Sequence, residues 1–327
     1  MSRPKILVTH PLFAGVRDLL DSRFETEYWK APQPMPRPEL LERVTGKDGL
    51  VCLLSDKIND ELLGRATKLR IAATVSVGYD NIDVPACTRH NVTATNTPGV
   101  LDDTTADLAW ALLMAVARRV VEGDAMIRAG KWTGWEIDQF MGGDVWGKTL
   151  GIIGFGRIGQ EVARRAAGFK MRILYNSRNR VTLEKEKEFH AAFVDRDTLL
   201  RESDFVSLHV PLTPETRHLI DRQAIAKMKP TAYLINTTRG PVVDEAALAE
   251  ALAARQIAGA GLDVFEREPV VLPALLPMSN VVLTPHIGSG SIETRTNMGL
   301  RAAKNVVAFF DGLRPPDALN PELFEKR

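Results

Sequence analysis

The 327-residue chain alternates short, β-branched apolar runs with longer amphipathic stretches. Apolar runs at Lys5–His10, Gly49–Ser55 and Ile71–Gly78 predict buried strands, the last running into a glycine turn. Between them, Ala14–Arg23 is amphipathic, and 59–67 reads as a helix capped by Asn59. After the turn signal Asn96–Gly99, a helical pattern runs from Leu101 to about Glu122. Asp102 and Asp103 stand near its start and Arg118 and Arg119 near its end, the charge order that suits a helix dipole. The stretch 130–147 is rich in Gly and Trp, weakly periodic, and predicts an extended loop. From Lys148 the alternation resumes, with strands predicted at 149–154, 172–176, 205–210, 232–237, 259–265 and 281–286, and a last helix over 292–310.

This order is the grammar of β–α–β units, which predicts parallel sheets with helices on both faces. The expected fold class is α/β, with two doubly wound, parallel-sheet domains and a cleft between them as the default active-site location. The contiguous domain would be 99–287. The other, discontinuous, would join 1–98 to 288–327, with the helices at 101–122 and 292–310 as the crossings.

Composition narrows the class further. Apolar residues make up 45% and charged residues 25%, ordinary for a globular protein. The 42 basic and 41 acidic residues differ by one, so no basic excess points to nucleic acid. The longest apolar tract, Leu108–Val121, is broken by Arg118 and Arg119, so no membrane span is expected. The N-terminal segment has no apolar core of a signal peptide. Cys52 and Cys87 make neither a disulfide framework nor a zinc motif, which fits a reducing, cytoplasmic setting.

Residues Gly154, Gly156 and Gly159 form G-x-G-x-x-G, with Phe155, Arg157 and Ile158 between them. Alone the motif is weak. Here it follows an apolar strand and opens a helix, the context that makes it a dinucleotide fingerprint rather than a glycine turn that binds nothing. Gly154 would make the tight turn, Gly156 would let the backbone approach a pyrophosphate, and Gly159 would let helix and strand pack closely. The next strand ends Asn176-Ser177-Arg178-Asn179-Arg180, with no acid before Glu184. An acid at that place bonds the ribose hydroxyl of NAD, whereas Ser177 and Arg178 suit a 2′-phosphate. The expectation is NADPH in preference to NADH; a solvated basic loop with use of both is the alternative.

Arg239, Glu268 and His286 each follow a predicted strand. In an open parallel sheet, ligands bind beyond the carboxyl ends of the strands, so all three converge with the glycine loop on one edge. Singly, each is an ordinary surface or structural residue. The remaining histidines, His10, His90, His190, His209 and His218, read as structural.

The motifs SVGYDNID (76–83), NTPGVLDDTTADLAW (96–110), GIIGFGRIGQ (151–160), PLTPETRHLI (211–220), INTTRG (235–240), AGLDVFEREP (260–269) and LTPHIGS (283–289) together resemble the D-2-hydroxyacid dehydrogenases over nearly the whole chain. CLLSDKIND and SVGYDNID are similar to the glyoxylate/hydroxypyruvate reductase branch. The resemblance implies Rossmann-like domains and His286 as the acid that protonates the substrate carbonyl, supported by Glu268. Arg239 would hold the keto acid, and the N–H groups of Val77 and Gly78 its carboxylate. Thr237, Asp263 and Gly288 would lie at the nicotinamide, Pro211 and Thr216 in a cofactor-contacting loop, and Thr105 on a helix facing the pyrophosphate. Leu54 would wall the substrate pocket. The 130–147 loop would pack across a homodimer, with Trp135 or Met141 near the partner's pocket. Reduction of a small 2-keto acid is the expected activity. A 2-ketogluconate reductase shares every motif, and a dinucleotide-sensing, partner-binding protein shares the fold.

Overall fold

The computed structural model describes residues 3–325. The chain divides into two units, Met1–Leu101 with Gly290–Arg327, and Asp102–Ser289.

In the first unit, strands β1 (Lys5–Val8), β2 (Glu25–Tyr28), β3 (Gly49–Cys52), β4 (Ile71–Thr74) and β5 (Thr93–Thr95) form a sheet in the order β2-β1-β3-β4-β5, every pair parallel. Alternate residues serve opposite faces, as the pleat requires. Leu7, Leu50, Ala72 and Ala94 enter one core. Ile6, Val8, Val51, Ile71 and Ala73 enter another, closed by Ala302, Val306 and Phe309 of the helix Ile292–Phe310. That packing is why the C-terminal segment belongs to this unit. Asn59 caps the helix Asp60–Arg65 as its sequence predicts, accepting from the Leu62 N–H.

In the second unit, β6 (Thr149–Ile153), β7 (Arg172–Asn176), β8 (Ala191–Phe193), β9 (Phe205–Leu208), β10 (Tyr233–Asn236), β11 (Gly259–Leu262) and β12 (Val281–Leu283) form a parallel sheet. Its order is β12-β11-β10-β9-β6-β7-β8. Read from its own first strand, this is the doubly wound order in which the chain reverses direction between β6 and β9. Both faces are buried: Ile153, Leu174, Val206 and Leu234 face one core, and Ile152, Ile173, Phe205 and Ile235 the other.

The structure departs from the sequence pattern in two respects. The helix expected over 101–122 is two helices, Asp102–Ala117 and Val120–Arg128, broken at Arg119, which is left-handed at φ 53°. The break has a tertiary cause. The Ala117 carbonyl accepts the Gly143 N–H at 2.9 Å, and a side chain at Gly142 would sit 2.1 Å from the same oxygen. Arg119 pairs instead with Glu122 at 2.8 Å. Strands β2, β5 and β8 carry too little apolar signal to be read from sequence. Their residues are ETEY, TAT and AAF, and all three are edge strands.

No helix among the described residues is long and apolar enough to cross a membrane.

Candidate active site

The apolar runs read from sequence are longer than the strands they contain, and the surplus residues are the site. Each run leaves the sheet at its carboxyl end as a loop: Gly154 after β6, His209 after β9, Thr237 after β10, Asp263 after β11 and Thr284–His286 after β12. Asn176, the last residue of β7, ends beside them.

Gly154 sits where the chain reverses, at φ 95°. A side chain there would meet the His209 carbonyl oxygen at 2.4 Å, so only glycine lets β6 turn against the end of β9. Gly159 faces the Gly154 carbonyl oxygen at 2.2 Å from where its own Cβ would be. Gly156 differs: nothing in the chain lies within 4 Å of its missing Cβ. It caps the helix Arg157–Ala166 without a side-chain hydrogen bond, and no acidic residue occupies the first turn. The N–H groups of that turn lack helical partners, and the dipole favours negative charge there.

At the end of β7, the Asn176 carbonyl accepts the Gly154 N–H and its side chain bonds the Val194 carbonyl, both at 2.8 Å. The Ser177 hydroxyl donates to the Asn179 carbonyl at 2.6 Å. Arg178 is exposed and makes no hydrogen bond among the described residues, while Arg180 is held by Glu186.

The Thr237 hydroxyl is buried and has no partner among the described residues. Gly288 is buried, and a Cβ there would lie 3.5 Å from the Thr105 side chain. The open space at Gly156, the unsatisfied N–H groups behind it and the orphaned Thr237 hydroxyl fit a nicotinamide dinucleotide along this edge.

Two loop residues have local duties. Thr216 donates to the Pro211 carbonyl at 2.6 Å and accepts the Thr213 N–H at 2.8 Å, closing the turn they share. His209, pushed down to about 3 by burial, stays neutral with its Nε2 against the Ser207 hydroxyl at 2.8 Å.

The acid–base pair is formed. His286 Nδ1 lies 2.8 Å from Glu268 Oε2. Burial raises the Glu268 carboxyl, but the hydrogen bond and charge of His286, the Phe265 N–H and the Arg239 charge outweigh it, leaving it below the usual range. Arg239, half-buried, starts the turn Gly240–Val242 and is set by Asn236, whose side chain bonds the Arg239 carbonyl at 3.0 Å. Gly240 is packed so tightly on the Phe265 carbonyl that a Cβ would fall 2.0 Å from its oxygen. The loops that carry Arg239 and Glu268 are thereby fixed to each other.

Two anchoring roles behind this pair were not legible in the sequence, where Asp263 stands only as a nicotinamide contact implied by the resemblance and Glu245 is not singled out. Asp263, wholly buried, accepts from the Thr284 hydroxyl at 2.6 Å and from the Ile287 and Gly288 N–H groups at 2.8 Å. Its own backbone carbonyl accepts the His286 N–H at 2.9 Å. Burial pushes its carboxyl up despite these bonds. Asp263 thus holds the loop that presents His286. Glu245, in the first turn of the helix Glu245–Ala253, accepts the Glu266 and Leu272 N–H groups at 2.7 and 3.0 Å, on either side of Glu268. In sequence it looks like any acid at a helix start.

In the first unit, the Val77 carbonyl is bonded by Asn96 at 2.8 Å and the Gly78 carbonyl by Ser76 at 2.7 Å. The N–H groups of Val77 and Gly78 have no acceptor among the described residues. Leu54 is 41% exposed. No group of three His, Cys, Asp or Glu among the described residues could hold a metal ion.

A doubly wound sheet with a glycine-rich first turn, and an imidazole–carboxylate pair on the same edge, defines a dinucleotide-dependent oxidoreductase. The NAD-binding domain of the D-isomer specific 2-hydroxyacid dehydrogenases matches residues 110–288, and the chain belongs to that family. It is 51% identical to a glyoxylate reductase of Thermococcus litoralis over 98% of each chain. Among solved structures it is similar to the TT0316 protein of Thermus thermophilus, at 44% identity and a TM-score of 0.91 over 96% of this chain and 99% of that one. It is also similar to an NADPH-dependent glyoxylate/hydroxypyruvate reductase of Sinorhizobium meliloti in complex with NADP and malonate, at 31% identity and a TM-score of 0.86 over 97% of each.

Proposed function

We propose that the protein uses NADPH to reduce glyoxylate to glycolate and hydroxypyruvate to the D-2-hydroxy acid, His286 supplying the proton. The observation that carries this reading is the Glu268–His286 pair at 2.8 Å, on the edge that carries Arg239 and the glycine turn. The dinucleotide, when bound, supplies the hydride. With Nδ1 facing Glu268, the imidazolium donates its proton from Nε2 to the substrate oxygen. The Glu268 carboxylate holds the ring by Nδ1 and faces the imidazolium that must exist before transfer. Arg239 grips the keto acid and polarises its carbonyl. Val77 and Gly78 offer unpaired N–H groups to the carboxylate, and exposed Leu54 suits a short side chain. The relatives named glyoxylate reductase, with half of their residues identical to this chain, support the substrate class.

The NADPH assignment rests on Ser177 and Arg178 standing where an acid would contact NADH. We further assign a homodimer through the segment 120–146. It exposes Val120, Ile127, Trp132, Trp135, Ile137 and Met141, with Trp135 at 78% and Ile137 at 81%. A patch of this kind is rarely left to water. Two free, buried cysteines suit a reducing compartment, the cytoplasm.

The test is cofactor oxidation by the purified protein with glyoxylate, hydroxypyruvate, pyruvate and 2-ketogluconate, using NADPH and NADH in parallel. Fast turnover of the two short acids with NADPH is expected. Turnover of 2-ketogluconate alone would replace the substrate. Dinucleotide binding without turnover on any of them would favour a sensing role.

A further inference from the structure

The loop after β7 is stapled to the sheet by side chains that the proposed reaction does not use. Tyr175 is fully buried in β7, against Phe155 at 4.3 Å and Phe193 at 5.4 Å between ring centres. Its hydroxyl donates to Glu186 at 2.8 Å and accepts the Val181 N–H at 3.1 Å. Glu186, in the helix Leu183–Phe189, also receives both arms of the Arg180 fork at 2.8 Å. Arg180 and Tyr175 pull its carboxyl down to about 2. The Arg180 guanidinium in turn lies 5.7 Å over the Phe193 ring. The segment 177–181 is therefore closed into a ring, from the end of β7 back to the Tyr175 side chain. Ser177 and Arg178 are on that ring. The charge of Arg180 is cancelled by Glu186, which leaves Arg178 as the ring's cation without a hydrogen-bonded carboxylate, Glu215 acting on it through charge alone.

We propose that Tyr175 and Glu186 are positioning residues for cofactor choice: they lock the 177–181 loop so that Ser177 and Arg178 meet a 2′-phosphate. The inference rests on the NADPH assignment above. NAD lacks the 2′-phosphate, so its binding does not depend on this loop being fixed.

Two variants separate positioning from charge. Glu186→Gln makes the loop more positive, which by attraction alone would tighten NADP binding; loss of the clamp weakens it. Tyr175→Phe removes the hydroxyl's bonds to Glu186 and from the Val181 N–H, leaves the Arg180–Glu186 pair, changes no charge and keeps the ring in its aromatic cluster. Dissociation constants for NADP and NAD are measured by calorimetry on the full-length protein, without substrate or turnover. The expected result is an NADP constant raised about fivefold in Tyr175→Phe, the worth of one hydrogen bond, and about tenfold in Glu186→Gln, with NAD unchanged in both. Tighter NADP binding by Glu186→Gln, an unchanged NADP-to-NAD ratio, or an equal loss for both dinucleotides would overturn the proposal. The wild-type ratio reports separately: a preference for NAD refutes the NADPH assignment, whereas a ratio that neither variant moves refutes the clamp.

Discussion

Glu268 Oε2 and His286 Nδ1 are 2.8 Å apart, although the two residues leave different strands and His286 is held left-handed at φ 54°. The geometry fixes the imidazole by one nitrogen and frees the other, the arrangement a proton donor needs. Glu268 is held below the usual carboxyl range, so it is an anion at neutral pH. Because its folded-state value is depressed, its contribution to stability is present above the ordinary carboxyl range and is lost as pH falls through the folded value.

Glu268→Gln removes the carboxylate that His286 Nδ1 faces at 2.8 Å. A neutral amide does not offset the charge of a protonated ring, so kcat is expected to fall about tenfold or more while the dinucleotide dissociation constant is kept. Turnover assays with calorimetry on the same preparation check this. Unchanged turnover would mean that Glu268 only braces the loop.

His286→Ala is expected to cut kcat by roughly 10²- to 10⁴-fold while the dinucleotide dissociation constant stays as it was. Stopped assays with calorimetry on the same preparation read both quantities. Near-normal turnover would remove His286 from the chemistry.

Gly156 and Gly159 make opposite predictions. Gly156→Ala places its Cβ in space the chain leaves open, so melting temperature is retained and dinucleotide affinity falls. Gly159→Ala drives a Cβ toward a backbone oxygen that cannot turn away. Despite alanine's better helix propensity, melting temperature should fall by about 5 °C. Thermal melts with and without cofactor distinguish the pair.

Glu245→Ala leaves two part-buried N–H groups unpaired beside Glu268, at a cost of about 1 kcal/mol. The expected signature is a lower melting temperature and a lower kcat with little change in substrate KM. A raised KM alone would mean that the loop meets substrate rather than positioning Glu268.

Arg178→Ala should raise KM for NADPH about tenfold and leave NADH alone, since a charge-assisted bond to phosphate is lost in one case only. Equal effects on both cofactors would mark Arg178 as a general surface charge.

Much of this was written in local pattern. Continuous apolar runs placed nine of the strands, because a strand of a parallel sheet covered on both faces is buried at successive positions. The glycine spacing located the dinucleotide turn, since Gly159 answers to the nearby Gly154 carbonyl, although Gly154 itself answers to His209 at the end of another strand. Arg239, Glu268 and His286 were legible as the residues just past strand ends. What the sequence could not hold were relationships between distant segments. The break at Arg119 depends on Gly143 capturing the Ala117 carbonyl, a partner outside the helix. The strands β2, β5 and β8 exist because neighbours supply their hydrogen bonds, not because their residues are apolar. The anchoring roles of Asp263 and Glu245, and the ring that Tyr175 and Glu186 close, arise only when the folded chain brings carboxylates to N–H groups and hydroxyls elsewhere in the sequence. Sequence by itself determined which residue types stand at the edge of the sheet. Tertiary structure decided what holds them there, because a buried hydrogen bond is a property of two places in the chain at once.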